Sequence, residues 1–464
     1  PPYFSQRGVG WVGQISDERR VTNYNGTLWR VRGVVSLCPK ICHSSLVTCR
    51  MALFLILSVF VALAYALLIG FCVAAWRAQV EEGGRGAAVR LADEQLPSVS
   101  IVVVGRDEAA HIDALMACLV AQDYPCAQYE IIYVDDHSED GSVELLRAWA
   151  HRLHCSALPQ PRFTFLRLGD YLRELGVERA GLVAFKKKAI ECAVLRAKGA
   201  WILCTDADCQ MSAQWLRLML HEGQALEHRL RLGSVLMEEG AKSGAGWLLR
   251  RFQQLDGLGT MLLTAVGLRR GAQLANGANW AYRREDFAAV GGFAGIDAQA
   301  SGDDMLLLHK IQGHLQTRQQ AAAEAAQFVA APQAAVVTAL KTSWGDLWQQ
   351  RQRWASKSNA YTQGRLKAIL AMVGLFSLLL LFIPLLCVFL QSNTLALLAA
   401  FLWVVKAAAD WHLLSTAARH YGREHWLWAF VPALFLHTLY IVLAGLLAVL
   451  ARRIGYTWKG RKVR

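Results

Sequence analysis

Apolar and polar positions fall into two textures along the chain. Residues 52–76 contain no Asp, Glu, Lys or Arg, enough apolar chain to cross a bilayer as one helix, so a span is expected over 51–77. Trp76 closes the run, and Arg77, Arg85 and Arg90 follow, an aromatic-then-basic edge expected at a cytoplasmic boundary. The run is too long for a signal peptide and no small-residue cleavage pattern follows it. Residues 1–50 show no sustained helical or strand period and begin at Pro1. They are expected to be a disordered or spurious extension ahead of Met51, the alternative being an extracytoplasmic tail.

From residue 97 to 345 the texture changes. Short β-rich runs at 99–104, 129–134, 163–168 and 201–205 alternate with amphipathic stretches such as 111–122. That alternation predicts an α/β domain with a largely parallel sheet, whose chemistry gathers at the carboxyl ends of the strands. Residues 346–364 are expected to form an interfacial helix. Over 367–452 the chain is apolar again and predicts two to three spans. Residues 368–390 and 426–451 carry no acidic or basic residue except His437. Residues 394–418 are the weaker case: Lys406 and Asp410 stand four apart, placed to pair on one helix face inside a bundle. An interfacial helix is the alternative there. A basic tail, 453–464, ends the chain. Three C-terminal spans would leave that tail outside, against the positive-inside tendency.

Composition sharpens the membrane reading. Mean hydropathy is +0.26 and 54% of residues are apolar, values that argue against an ordinary soluble enzyme. Net charge is +13, which suits anionic lipid or an acidic small substrate; nucleic acid is not expected as a partner. The eleven cysteines include no CxxC pair, so they read as reduced, mostly buried thiols.

Candidate chemistry sits at strand ends. Asp107-Glu108 follows the first strand and Asp135-Asp136 the second, where acidic side chains can bond a ribose or a base. After the fourth strand, Asp206-Ala207-Asp208 sets two carboxylates one residue apart, a grip for a hard cation shared with phosphate. Lys186-Lys187-Lys188 precedes a helix and can attract phosphate, with Lys188 assigned to the donor. Asn276-Gly277-Ala278-Asn279 offers Asn279 to an acceptor. Asp303-Asp304 opens an apolar helical stretch, where one carboxylate can serve as general base or both can simply cap the helix. In Gln350-Arg351-Gln352-Arg353-Trp354, residues Gln350, Arg353 and Trp354 share a helical face, with arginine suited to a diphosphate.

Taken in order, Val134-Asp135-Asp136, Asp206-Ala207-Asp208, Gly302-Asp303-Asp304 and Gln350-Arg351-Gln352-Arg353-Trp354 resemble the signature of membrane family 2 glycosyltransferases. That group includes cellulose, hyaluronan and poly-N-acetylglucosamine synthases and ceramide glucosyltransferases. The likeness covers about 97–361. It departs in Asp107 for the usual Asn and in Asp303 for the usual Glu. The resemblance implies a GT-A (Rossmann-like) nucleotide-diphospho-sugar transferase domain with Mg2+ or Mn2+ as cofactor. It implies donor contacts from Asp135, Asp136, Asp206 and Arg353, and metal held by Asp208. Asp304 would be the base, with Trp354 and Gln350 at the acceptor. The implied reaction is inverting transfer from a nucleotide-diphosphate sugar to a polysaccharide or lipid acceptor, at the cytoplasmic side of the cell (inner) membrane. Processive synthesis and single addition to a lipid both remain open, and an export partner protein would suit the former. The readings from other classes are a catalytically inactive nucleotide-sugar-binding scaffold and a transporter. Intact Asp208 and Asp304 oppose the first, and the large α/β insert opposes the second.

Overall fold

The computed structural model describes residues 20–22, 28–30, 38–87, 92–178, 182–221, 228–238, 244, 246–270, 274–317, 326–356, 364–450, 456–458 and 461–463. The chain divides into two compact units, Pro1–Phe60 and Val61–Arg464. In the first, β1 (Arg20–Thr22) pairs antiparallel with β2 (Leu28–Arg30), and α1 (Cys38–Ala87) begins. The expected disordered extension is therefore corrected in part, since helix starts upstream of Met51. Pro39 does not prevent this, because it sits in the first turn, where a backbone N–H has no helical partner to lose. The rest of 1–50 lies outside the described residues.

In the second unit, β3 (Val99–Gly105), β4 (Tyr129–Asp135), β5 (Arg162–Arg167) and β6 (Trp201–Asp206) are parallel. They match the four expected strands to within one residue. A short strand, β7 (Cys209–Met211), follows, and then β8 (Leu230–Gly233), β9 (Val235–Glu238), β10 (Trp280–Arg283), β11 (Ala326–Val329) and β12 (Val336–Ala339). Seven strands form one sheet in the order β11-β8-β10-β6-β3-β4-β5, with β10 antiparallel to its neighbours. A second sheet runs β7-β12-β9. The central strands are apolar on both faces, as in Ile101-Val102-Val103, because helices cover both sides.

Those helices are α2 (Ala109–Val120), α3 (Ser142–His154), α4 (Leu168–Glu174), α5 (Phe185–Arg196) and α6 (Trp215–His221). Further along come α7 (Trp247–Arg270), α8 (Arg284–Ala289), α9 (Met305–Thr317) and α10 (Trp344–Ser356). Three long apolar helices close the chain, α11 (Gly364–Leu390), α12 (Asn393–His420) and α13 (Phe430–Leu450), followed by the hairpin β13 (Tyr456–Trp458) and β14 (Arg461–Val463). Among the described residues, four segments are long and apolar enough to cross a membrane: Cys49–Glu81, Leu366–Leu390, Asn393–His420 and Glu424–Leu446. The chain is an integral membrane protein, and the weaker segment qualifies with the others.

The pairing expected inside α12 is present. Lys406 Nζ lies 2.6 Å from Asp410 Oδ2, and both side chains are buried. Tyr65 of α1 completes the group by donating to Asp410 Oδ1 at 2.5 Å. Further along α1, Trp76 is turned into the protein. It is buried edge-on against Phe328 and His420, which fixes the end of this helix to the sheet.

Candidate active site

The site forms at the carboxyl edge of β3, β4 and β6. Two loops are tied there by side-chain-to-backbone bonds. Asp107, at φ 52°, accepts from Glu139 N at 2.8 Å, while its own N–H donates to Ser138 Oγ at 2.9 Å. Asp140 accepts from Ala109 N and from Ser142. Partial burial pushes its pKa up, but those hydrogen bonds outweigh it and leave the carboxyl below its usual range. Gly105 at the end of β3 is forced by space: a Cβ there would lie 1.9 Å from the Tyr133 hydroxyl and 3.1 Å from the Ala207 methyl. The chain carrying the Asp206–Asp208 turn thus passes directly against β3.

Asp206 and Asp208 close β6 as expected. Lys186, in the first turn of α5, reaches across to Asp206. Its Nζ lies 2.8 Å from Asp206 Oδ1 and 3.2 Å from Asp303 Oδ2. Burial alone would lower the pKa of this lysine, but the carboxylates of Asp206 and Asp303 reverse that and hold it raised. Asp208 shows the opposite imbalance. Burial, then the neighbouring charges of Asp206 and Glu108, push its carboxyl up. A buried excess of negative charge is what a divalent cation relieves. Among the described residues no group of three or more His, Cys, Asp or Glu ligands is assembled. Two carboxylates nonetheless fit Mg2+ or Mn2+, which take much of their shell from water and substrate phosphate.

Asp303 and Asp304 follow Gly302, whose φ of 85° turns the chain into α9. Asp304 is buried and accepts from Gly277 N at 3.0 Å and Met305 N at 2.7 Å. Asp303 faces Lys186 instead. The structure thus gathers Asp206, Lys186, Asp303 and Asp304 at one edge, with Asp208 and Glu108 beside Asp206.

Three assignments need correction. Lys188 pairs with Glu191 on its own helix at 3.0 Å, and Lys187 is buried on the carbonyls of Ile296 and Gln299; the lysine at the site is Lys186. Asn279 is not placed to meet an acceptor. It is fully buried, accepting from Trp215 Nε1 at 3.0 Å and donating to the carbonyls of Ser234 and Ala334 at 2.8 and 2.9 Å. Its amide ties the start of β10 to α6 and to the two connections that lead from one sheet to the other. Asp136 is also wholly buried and bonds His137 Nδ1 at 2.9 Å, so it stands behind that ring. Asp135, buried as well, accepts from Ser138 N.

Gln350, Arg353 and Trp354 ride half-buried on α10. The buried anchor of that helix is Arg351, which the sequence pattern does not single out. Arg351 pairs with Asp256 of α7, both nearly inaccessible, and lies 4.3 Å over the Trp354 ring. Phe252, Leu347 and Tyr440 pack beside it and join α10 to α7 and α13. Leu347 and Arg351 stand at i, i+4, and both turn to this inward face.

Residues 180–464 match the family described as Glycosyl transferase family 21, and residues 100–168 match Glycosyl transferase family 2. Glycosyltransferase AglE of Haloferax volcanii is 27% identical over 121 residues, 26% of this chain and 34% of that protein. The chain therefore matches about a third of that relative's length. Among solved structures, the mannosyltransferase PcManGT from Pyrobaculum calidifontis, in complex with GDP-Man and Mn2+, aligns over 84% of this chain and 99% of that one. Its identity is 18% and its TM-score 0.46. TarS of S. aureus aligns over 70% and 54% at 14% identity, with a TM-score of 0.35.

Proposed function

Because the chain belongs to glycosyl transferase family 21, and is thus a GT-A glycosyltransferase, we propose that it moves a sugar with inversion from a nucleoside diphosphate to a lipid or saccharide acceptor. The reaction takes place at the cytoplasmic face of the cell membrane. The observation that carries this reading is Lys186 held between Asp206 and Asp303, with Asp208 and Asp304 on the same strand-end edge.

Asp208, with Asp206, would hold Mg2+ or Mn2+. That ion, when bound, supplies charge neutralisation to the diphosphate. Lys186 adds a second positive charge there and shields the leaving group as it departs. Asp135, and Asp136 through His137, position the nucleoside. Asp304, steered by two backbone N–H donors, takes the proton of the acceptor hydroxyl. The hydroxyl oxygen bonds to the anomeric carbon while the carbon–diphosphate bond breaks on the opposite face, which inverts the configuration. Asp303 is the poorer base because the Lys186 ammonium faces it. Arg353, Gln350 and Trp354 bring the acceptor end to the cleft, with one face of Trp354 already covered by Arg351.

The test is release of nucleoside diphosphate by the purified full chain, over a panel of nucleotide sugars and acceptors. Release should stop with a chelator, return with Mn2+, and be lost in Asp208→Asn. NMR of the product should show an inverted anomeric centre. Metal-independent release that survives Asp208→Asn, or retention of configuration, would refute the mechanism.

A further inference from the structure

One face of α7 holds two stretches of chain that the transfer reaction needs together. Gln253 is buried there and grips the segment after β12 from both sides. Its Nε2 donates to the Lys341 carbonyl at 3.0 Å, and its Oε1 accepts from Lys341 N at 2.9 Å. That segment leaves β12 beside Asp208, since Thr338 Oγ1 donates to Asp208 Oδ2 at 3.3 Å. One turn further along the same face of α7 stands Asp256. Its Oδ2 lies 2.5 Å from Arg351 Nη2 of α10, and the two side chains are only 5% and 4% exposed. His437 of α13 stands 3.7 Å from the other carboxylate oxygen. Leu249, Phe252 and Leu347 fill the space between the same two helices. In such an apolar setting a charge pair adds little stability over well-packed apolar residues of the same volume. What this pair does fix is orientation. The Arg351 guanidinium lies 4.3 Å from the centre of the Trp354 ring and 5.5 Å from that of Tyr440.

Resting on the transferase reading above, we infer that Asp256 is a positioning residue for the acceptor, acting through Arg351 on Trp354. The carboxylate holds the guanidinium over the ring, and the ring keeps one orientation toward the incoming acceptor. Without the carboxylate, the guanidinium leaves the ring and Trp354 loses that support. Gln253 and Asp256 share one helix, so α7 sets the spacing between Asp208, where the donor diphosphate is held, and Trp354, where the acceptor end is received. Asp256 governs the acceptor side alone, because β6 and α5 carry the donor groups Asp206, Asp208 and Lys186.

The test measures initial rates of the full chain in detergent, with Mn2+ and the nucleotide sugar that gives release, against a ceramide, a diacylglycerol and an alkyl glucoside as acceptors. Asp256→Asn should raise the acceptor KM by about ten- to a hundredfold. Nucleotide affinity and acceptor-free hydrolysis of the donor should stay unchanged, the split expected when binding of one substrate alone is lost. Should that variant fail to fold, Asp256→Leu combined with Arg351→Met decides the matter. Removing both charges should return melting to the wild-type temperature while the acceptor KM stays raised. Arg351→Lys keeps a charge facing Asp256 but loses the planar group over Trp354, and should raise the KM as well. An acceptor KM restored in the double variant, or normal in Arg351→Lys, overturns the inference and leaves the pair as packing. An equal loss of nucleotide affinity overturns it too. A wild type whose release none of the three acceptors stimulates overturns the transferase reading with it.

Discussion

Side by side in the chain, Asp303 and Asp304 meet different partners, and their variants should differ in kind. Asp304→Asn removes a proton acceptor while keeping the shape of the side chain. It should lower the transfer step by about a hundred- to ten-thousand-fold and leave donor affinity nearly unchanged. Asp303→Asn breaks the contact with Lys186. It should weaken donor binding and cost about 1 kcal/mol of stability, discounted for the partial exposure of both groups. Transfer kinetics and donor titrations on the two variants check this, and near-normal turnover in Asp304→Asn would remove the base assignment. How far such residues can be read from sequence depends on what fixes them. Asp135, Asp206 and Asp208 are legible because a strand end alone positions them. Lys186 and Lys188 differ by about 200° around a helix, and only the tertiary placement of α5 decides which faces the carboxylates. Asn279 stands in a motif that looks like a binding loop, yet its bonds run to Trp215, Ser234 and Ala334, distant in the chain and brought near only by folding.

The same divide holds for whole elements. The run Ile101-Val102-Val103 declares a strand buried on both faces, and the apolar stretches declare spans. Helix α7 is less legible. Arg250, Arg251, Asp256, Gly257 and Gly259 interrupt its pattern, yet the helix packs on α12, α13 and the β9 strand. Its polar groups are accommodated by particular partners, such as Arg351 for Asp256 and the Lys341 backbone for Gln253. In the bundle, Tyr65, Lys406 and Asp410 lock α1 to α12. Asp410→Ala would strand the Lys406 ammonium in an apolar setting and should cost about 3–5 kcal/mol. Tyr65→Phe should cost about 1 kcal/mol. Replacing Lys406 and Asp410 together by methionine should recover most of the loss. Melting of the solubilised protein measures all three, and a double variant no better than Asp410→Ala would show that the pair is not isolated from water.

At the scale of the molecule, the path of α13 bears on the clash between three C-terminal spans and a basic tail. The helix leaves the α/β unit beside Arg423, which pairs with Glu238 of β9. Its later residues Leu436 and Tyr440 still pack on α7 and α10, and the β13 strand beyond it lies against α10 as well. The approach to α13 and its middle thus meet elements that belong with the sheet, while the helix also packs on α11 and α12. Length and apolarity permit crossing, and a helix held along the membrane face by its α7 and α10 contacts is the alternative to be tested. An epitope placed after Gln391 should then be accessible from the face opposite the catalytic unit, and one after Arg464 from the same face as that unit. Antibody binding to sealed vesicles of known orientation tests this, and equal access to both epitopes from one side would refute it. Parity would be the consequence: on that alternative α11 and α12 would form a closed excursion into the bilayer and add an even number of crossings. Donor cleft, α10 and basic tail would then share one aqueous compartment, held there by the Asp256–Arg351 contact rather than by the count of apolar segments.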